Sequence, residues 1–196
     1  MEKAFRKDLS HLSLDQVYAR QSLRAELVGD WLDALRLKPG DRVLEIGAGP
    51  GYVSLVLADR VGPAGTVYAA DTSAEALAYL ERLQSERGVW QIKRIVADAT
   101  KLEPASVRAG SALVTMVLHH TDDPPAILRS VAGCLPTGAP VVIGEFHPDG
   151  PCHVGPPREY RLSPGQVEAW CVQAGLKIAA YRRQTSEHYM IAAEHA

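Results

Sequence analysis

The chain has 196 residues, with 21 Lys and Arg against 23 Asp and Glu for a formal charge of −2 at pH 7. That length supports one sizeable core, and the near-neutral balance leaves no basic excess for a nucleic-acid backbone and no polybasic patch for a membrane surface. Cys134, Cys152 and Cys171 stand far apart without C-x-x-C spacing, which favours free thiols in a reducing cytosol over a disulfide framework or a zinc cluster. No stretch approaches the ~20 apolar residues of a membrane span. Lys3, Arg6, Lys7 and Asp8 stand where a secretory signal would be apolar, so a cytoplasmic location is expected.

After a polar start, Leu14, Val17, Tyr18, Leu23, Leu27, Trp31, Leu32 and Leu35 recur at helical intervals, and Ser13 with Gln16 forms a capping-box pattern. Residues 1–37 are therefore read as a helical extension or cap and 38–196 as the core of a single domain. Tyr18 and Trp31 are either ligand contacts or apolar packing. Lys38-Pro39-Gly40-Asp41 ends the helical region.

Val43-Leu44-Glu45-Ile46 then reads as a buried parallel strand, and Gly47, Gly49 and Gly51 let the backbone turn sharply toward a ligand. With a helix from Tyr52 this is the first half of a nucleotide-binding βαβ unit. A dinucleotide fingerprint, G-x-G-x-x-G, needs a glycine at position 52, which is Tyr52. A second strand over 66–70 ends at Asp71, about twenty residues past Gly51, where a carboxylate can accept from a pair of ribose hydroxyls. The blander role for Asp71 or Thr72 is to cap the helix that starts at Ala74.

A third strand over 91–97 is less apolar, which suits a sheet edge, and leads to Asp98-Ala99-Thr100. The fourth, over 111–118, runs through Met116 into His119 and His120. A fifth, over 140–146, enters the Pro/Gly-rich stretch 147–157, too irregular for regular structure and long for a connection. That stretch is the candidate lid and acceptor wall. Ser163 and Pro164 open the last helix, with Val167, Trp170, Cys171 and Ala174 facing inward. Strands over 176–182 and 188–193 then form a terminal hairpin.

The G-x-G-x-G run after an acidic residue resembles motif I of the class I S-adenosylmethionine-dependent methyltransferases. The order Glu45, Asp71, Asp98 at successive strand ends adds to the resemblance, which covers residues 38–195. It implies a Rossmann-like three-layer α/β sandwich with a seven-stranded, mostly parallel sheet, its last strand antiparallel in the hairpin. It also implies S-adenosylmethionine as cofactor and S-adenosylhomocysteine as product. Glu45 with the amides of Gly47, Ala48, Gly49 and Gly51 would hold the methionine end, Asp71 and Thr72 the ribose, and Asp98 and Ala99 the adenine. Met116 would stand beside them. The stretch 155–163 is similar to members near the ubiquinone/menaquinone-biosynthesis methyltransferases.

The methyl acceptor is expected to be a small molecule. One imidazole of His119 or His120 would lie near the transferred methyl as a base. Because successive residues leaving a strand point oppositely, at most one of them faces the site; structural hydrogen bonding or capping is the alternative. A base is worth ~10²–10⁴ in rate. Positioning two reactants supplies roughly 7–11 kcal/mol, so positioning should dominate. No metal is expected: His119, His120 and Asp122 fit a base or structural hydrogen bonding better than a metal site, and of His147, Cys152 and His153 the neighbouring last two would not easily converge on one ion. Two other readings stay open, an NAD(P)-dependent oxidoreductase and a non-catalytic cofactor-binding module. The acceptor atom and the oligomeric state are not set by the sequence.

Overall fold

In the computed structural model, which describes residues 11–196, the chain opens with α1 (Leu14–Ser22) and α2 (Ala25–Leu35). Lys3, Arg6, Lys7 and Asp8 lie outside the described residues. The capping box forms: the Ser13 hydroxyl accepts from the Gln16 amide, and the Gln16 side chain accepts from the Ser13 amide. Leu27, Val28, Trp31, Leu32 and Leu35 share the buried face of α2, as their 3.6-residue spacing dictates. Trp31 is 0% exposed and its ring nitrogen donates to Gln184 Oε1 at 2.9 Å, so it is core packing with its polar atom satisfied.

The core continues as β1 (Arg42–Ile46), α3 (Tyr52–Val61), β2 (Thr66–Asp71), α4 (Ala74–Arg87), β3 (Ile92–Val96) and β4 (Ser111–Thr115). It ends with α5 (Pro124–Gly133), β5 (Pro140–Phe146), α6 (Pro164–Gln173), β6 (Leu176–Arg183) and β7 (His188–His195). These strands form one seven-stranded sheet in the order β3-β2-β1-β4-β5-β7-β6, with β3 at an edge as its Lys93 and Arg94 suggest. The first five strands are parallel, and β7 inserts antiparallel between β5 and β6. Strand alternation divides the core into two faces. Val43, Val67, Leu113 and Val142 pack with α2, α3 and α4, while Leu44, Val114, Val141 and Tyr189 pack with α5 and α6. The result is the expected three-layer Rossmann-like sandwich. No helix among the described residues is long and apolar enough to cross a membrane.

Two local expectations are corrected. The fourth strand stops at Thr115 rather than 118: Met116 adopts φ +56° and Leu118–His120 form a 3-10 turn. The reason is non-local, since the Leu118 amide donates to the buried Glu145 carboxylate at 2.9 Å instead of extending a ladder. The cap of α4 is Ser73, not Asp71 or Thr72; its hydroxyl accepts from the Ala76 amide at 3.1 Å.

Candidate functional site

The parallel order β3-β2-β1-β4 sets the segments after four strands side by side along one sheet edge. Asp98 and Ala99 follow β3, Asp71 ends β2, Gly47 to Gly51 follow β1, and Met116 to His120 follow β4. The loop and the last of these segments touch, because a side chain at Gly47, which has φ +73°, would run into Val117.

The glycine-loop amides are less free than the sequence suggests. Those of Gly47 and Ala48 donate to the Ala70 carbonyl at 2.8 and 3.1 Å, and that of Gly49 donates to Asp71 Oδ2 at 2.8 Å. What the loop offers a ligand is therefore its shape more than a row of bare N–H groups. Glu45 is buried within the fold: Ser54 Oγ donates to it at 2.5 Å, bracing β1 against α3, and burial pushes its carboxyl up to about 7. Met116 is likewise buried, in the cluster packed by α2 and α3.

Asp71 accepts from Gly49 through one oxygen and from the Ser73 amide through the other, at 2.8 Å each. A carboxylate has about four acceptor positions, so both oxygens keep capacity for two ribose hydroxyls, and this carboxylate fits the expected nucleoside. Thr72 beside it is exposed. Asp98 is exposed and binds the Thr100 amide and hydroxyl at 2.9 and 2.8 Å; these bonds hold its carboxyl below the usual range. Ala99, half-buried, starts the short turn that follows.

Sequence reasoning missed four side chains here. Gln21, from α1, lies over the glycine loop: its Nε2 donates to the Ala48 carbonyl at 3.0 Å and its Oε1 accepts from the Tyr52 amide at 3.1 Å. A Cβ on Gly49 would sit 2.9 Å from that Nε2. No fixed spacing announces such a contact. Glu145 was more legible, as the one acid inside the apolar run of β5. It is 0% exposed and accepts from His119 Nδ1 at 2.7 Å and from the amides of Leu118 and Phe146. Burial works against its charge, but the His119 pairing outweighs it and holds the carboxyl below the usual range.

The strand's early end also changes the histidines. Rather than diverging, the His119 and His120 rings lie 4.1 Å apart, with His119 buried and His120 half-buried. Phe146 stands edge-on to His119 at 5.5 Å and 4.8 Å from His188, whose imidazole is lowered to about 4, first by burial and then by Arg24.

The remaining two missed residues are arginines whose guanidinium carbons lie near the Phe146 ring, Arg161 at 5.4 Å and Arg24 at 5.8 Å. Arg161 pins the segment 147–162. Its guanidinium donates to the carbonyls of His147, Val154 and Pro156 and to Glu187, which in turn accepts the amides of Cys152 and His153. The irregular stretch is thus wrapped around a buried ion pair. Among the described residues no group of three or more His, Cys, Asp or Glu is placed to hold a metal ion, and all three cysteines are free.

This fold is the Rossmann-like methyltransferase fold. A solved S-adenosylmethionine-dependent methyltransferase from Aquifex aeolicus superimposes with a TM-score of 0.82 at 20% identity, over 94% of this chain and 100% of that one. Residues 43–138 match the family model described as a methyltransferase domain, which supports a class I S-adenosylmethionine-dependent methyltransferase. It is 28% identical to the protein-L-isoaspartate O-methyltransferase of Ignicoccus hospitalis over 64% of this chain and 61% of that protein. To the 2-phytyl-1,4-naphtoquinone methyltransferase of Trichormus variabilis it is 31% identical over 62% and 52%. The chain thus spans little more than half the length of these relatives, whose names carry different acceptors.

Proposed function

We propose that this chain is an S-adenosylmethionine-dependent methyltransferase acting on a small-molecule nucleophile. The observation that carries the reading is Asp71, fixed by the Gly49 amide at the end of β2 with acceptor capacity left on both oxygens. Asp71 would hold the ribose, Asp98 the adenine, and the Gly47–Gly51 turn the methionine end, with Gln21 and Glu45 keeping that turn in shape. When bound, the cofactor supplies an activated methyl group for in-line displacement.

The chain's own share is alignment and a nearby base. With Glu145 charged, His119 carries its proton on Nδ1, which leaves Nε2 as the atom able to take one from an acceptor. Glu145 therefore acts through His119 by fixing its tautomer. Water is excluded by α1, α2 and the pinned segment 147–162. A small acceptor is supported by the formal charge of −2, which offers no field for a nucleic acid. Tyr52 at the third-glycine position argues against a nicotinamide enzyme.

Calorimetric titration with S-adenosylmethionine, S-adenosylhomocysteine and NADH tests the reading. Both sulfur ligands are expected to bind wild type and to lose at least about tenfold in affinity in Asp71→Ala, the loss of charged-group hydrogen bonds. Binding of NADH alone would overturn it.

A further inference from the structure

We infer that the acceptor carries an anionic group, an aromatic carboxylate being the chemistry that fits, and that Arg24 binds it; this rests on the methyltransferase reading above. The two arginines beside Phe146 differ in their partners. Every nitrogen of the Arg161 guanidinium donates to a carbonyl or to Glu187. The Arg24 guanidinium has no hydrogen-bond acceptor or salt-bridge partner among the described residues, and it lies over the face of Phe146.

The acids nearby are already engaged. Glu145 is bound by His119 and backbone amides, Glu187 by Arg161 and the amides of Cys152 and His153, and Asp30 by Arg182 and Gln184. Glu145 attracts Arg24 through space without bonding it, and Arg20 repels it. A half-buried guanidinium with no hydrogen-bonded acid among the described residues is costly, and its planar fork matches a carboxylate.

Place and surroundings define the ligand. Arg24 lies three residues after Gln21, so the last turn of α1 presents Gln21 to the cofactor loop and the short link to α2 presents Arg24 to the wall at the end of β5. That wall is made of rings, Phe146 flanked by His119 and His188 at 5.5 and 4.8 Å, with His120 stacked at 4.1 Å on His119. The Phe146, His119 and His188 rings are themselves buried, so what they give a ligand is an aromatic surround beside the Arg24 fork, an environment that suits a planar ring bearing a carboxylate.

The test titrates benzoate and benzamide, which differ in charge but hardly in shape, into the full chain saturated with S-adenosylhomocysteine. Wild type is expected to prefer benzoate by about tenfold, the scale of one charge-assisted pair. Arg24→Gln should abolish that preference and Arg24→Lys, which keeps charge but not the fork, should reduce it, with S-adenosylhomocysteine bound equally by all three. Should Arg24→Gln fail to bind S-adenosylhomocysteine, Arg24→Lys decides: a weakened preference supports the proposal and an unchanged one overturns it. Equal binding of both probes to wild type, binding of neither, or a preference that survives in Arg24→Gln also overturns it. Wild type that binds no S-adenosylhomocysteine overturns the methyltransferase reading instead.

Discussion

Glu45 and Val43 share one face of β1, the face covered by α3, so the alternation that buries Val43 also buries Glu45 against Ser54. The motif revealed that an acid stands here; the alternation, available in the same sequence, would have revealed that it points inward. Its carboxyl rises to about 7 in the fold while an unfolded glutamate titrates near 4.5, so the native state favours the protonated form. Stability is then expected to fall as pH rises from about 4.5 through 7, by about 3 kcal/mol in all. Urea midpoints at pH 5 and pH 8 should show that fall in wild type and lose most of it in Glu45→Gln. A variant with the same fall as wild type would assign the pH dependence to another group. Glu145 has the opposite sign: its depressed carboxyl contributes stability above the usual carboxylate range that is lost as pH drops through its folded value.

At the scale of elements, the Pro/Gly-rich stretch was legible as irregular, because Pro and Gly deny it a ladder or a helix. What holds it was not, because Arg161 looks in sequence like any surface cation. Only the fold shows its side chain at 0% exposure, joining 147–162 to the β6–β7 turn through Glu187. Removing it strands a buried carboxylate and three carbonyls, so Arg161→Ala is expected to cost roughly 3–5 kcal/mol in denaturant unfolding. Arg161→Lys should recover little of that, since one ammonium cannot reach four acceptors in fixed directions. Full recovery by lysine would reduce the pin to a point charge. The end of β4 was misread for a related reason: Val117 and Leu118 prolong the apolar run, and the stop comes from Glu145, distant in sequence.

For the molecule as a whole, the order of acids along the sheet edge was readable because parallel crossovers are right-handed and ligands gather at the carboxyl ends of such strands. The proposed acceptor half was not readable, since it would be assembled from the α1–α2 turn, the turn after β4 and the end of β5. The contact of Gln21 with the glycine loop ties the helical cap to the cofactor half. Saturation with S-adenosylhomocysteine at 100 times its Kd should add about 2.7 kcal/mol of stability. Hydrogen exchange should slow over 14–24 and 47–54 and stay unchanged in β6 and β7. Protection confined to the hairpin would separate the cap from the cofactor.

The position of β7 has a consequence for how the chain assembles. It fills an interior place in the sheet, bonded to β5 on one side and to β6 on the other, although it is last in sequence. A growing polypeptide can complete the parallel half, with the glycine loop and Asp71, while β6 still lacks its neighbour. In that interval β5 is the open edge and β6, bonded to β7 alone, has no ladder; in the finished sheet β6 is the edge, and its Lys177, Arg182 and Arg183 are the kind of charges that discourage pairing with a foreign strand.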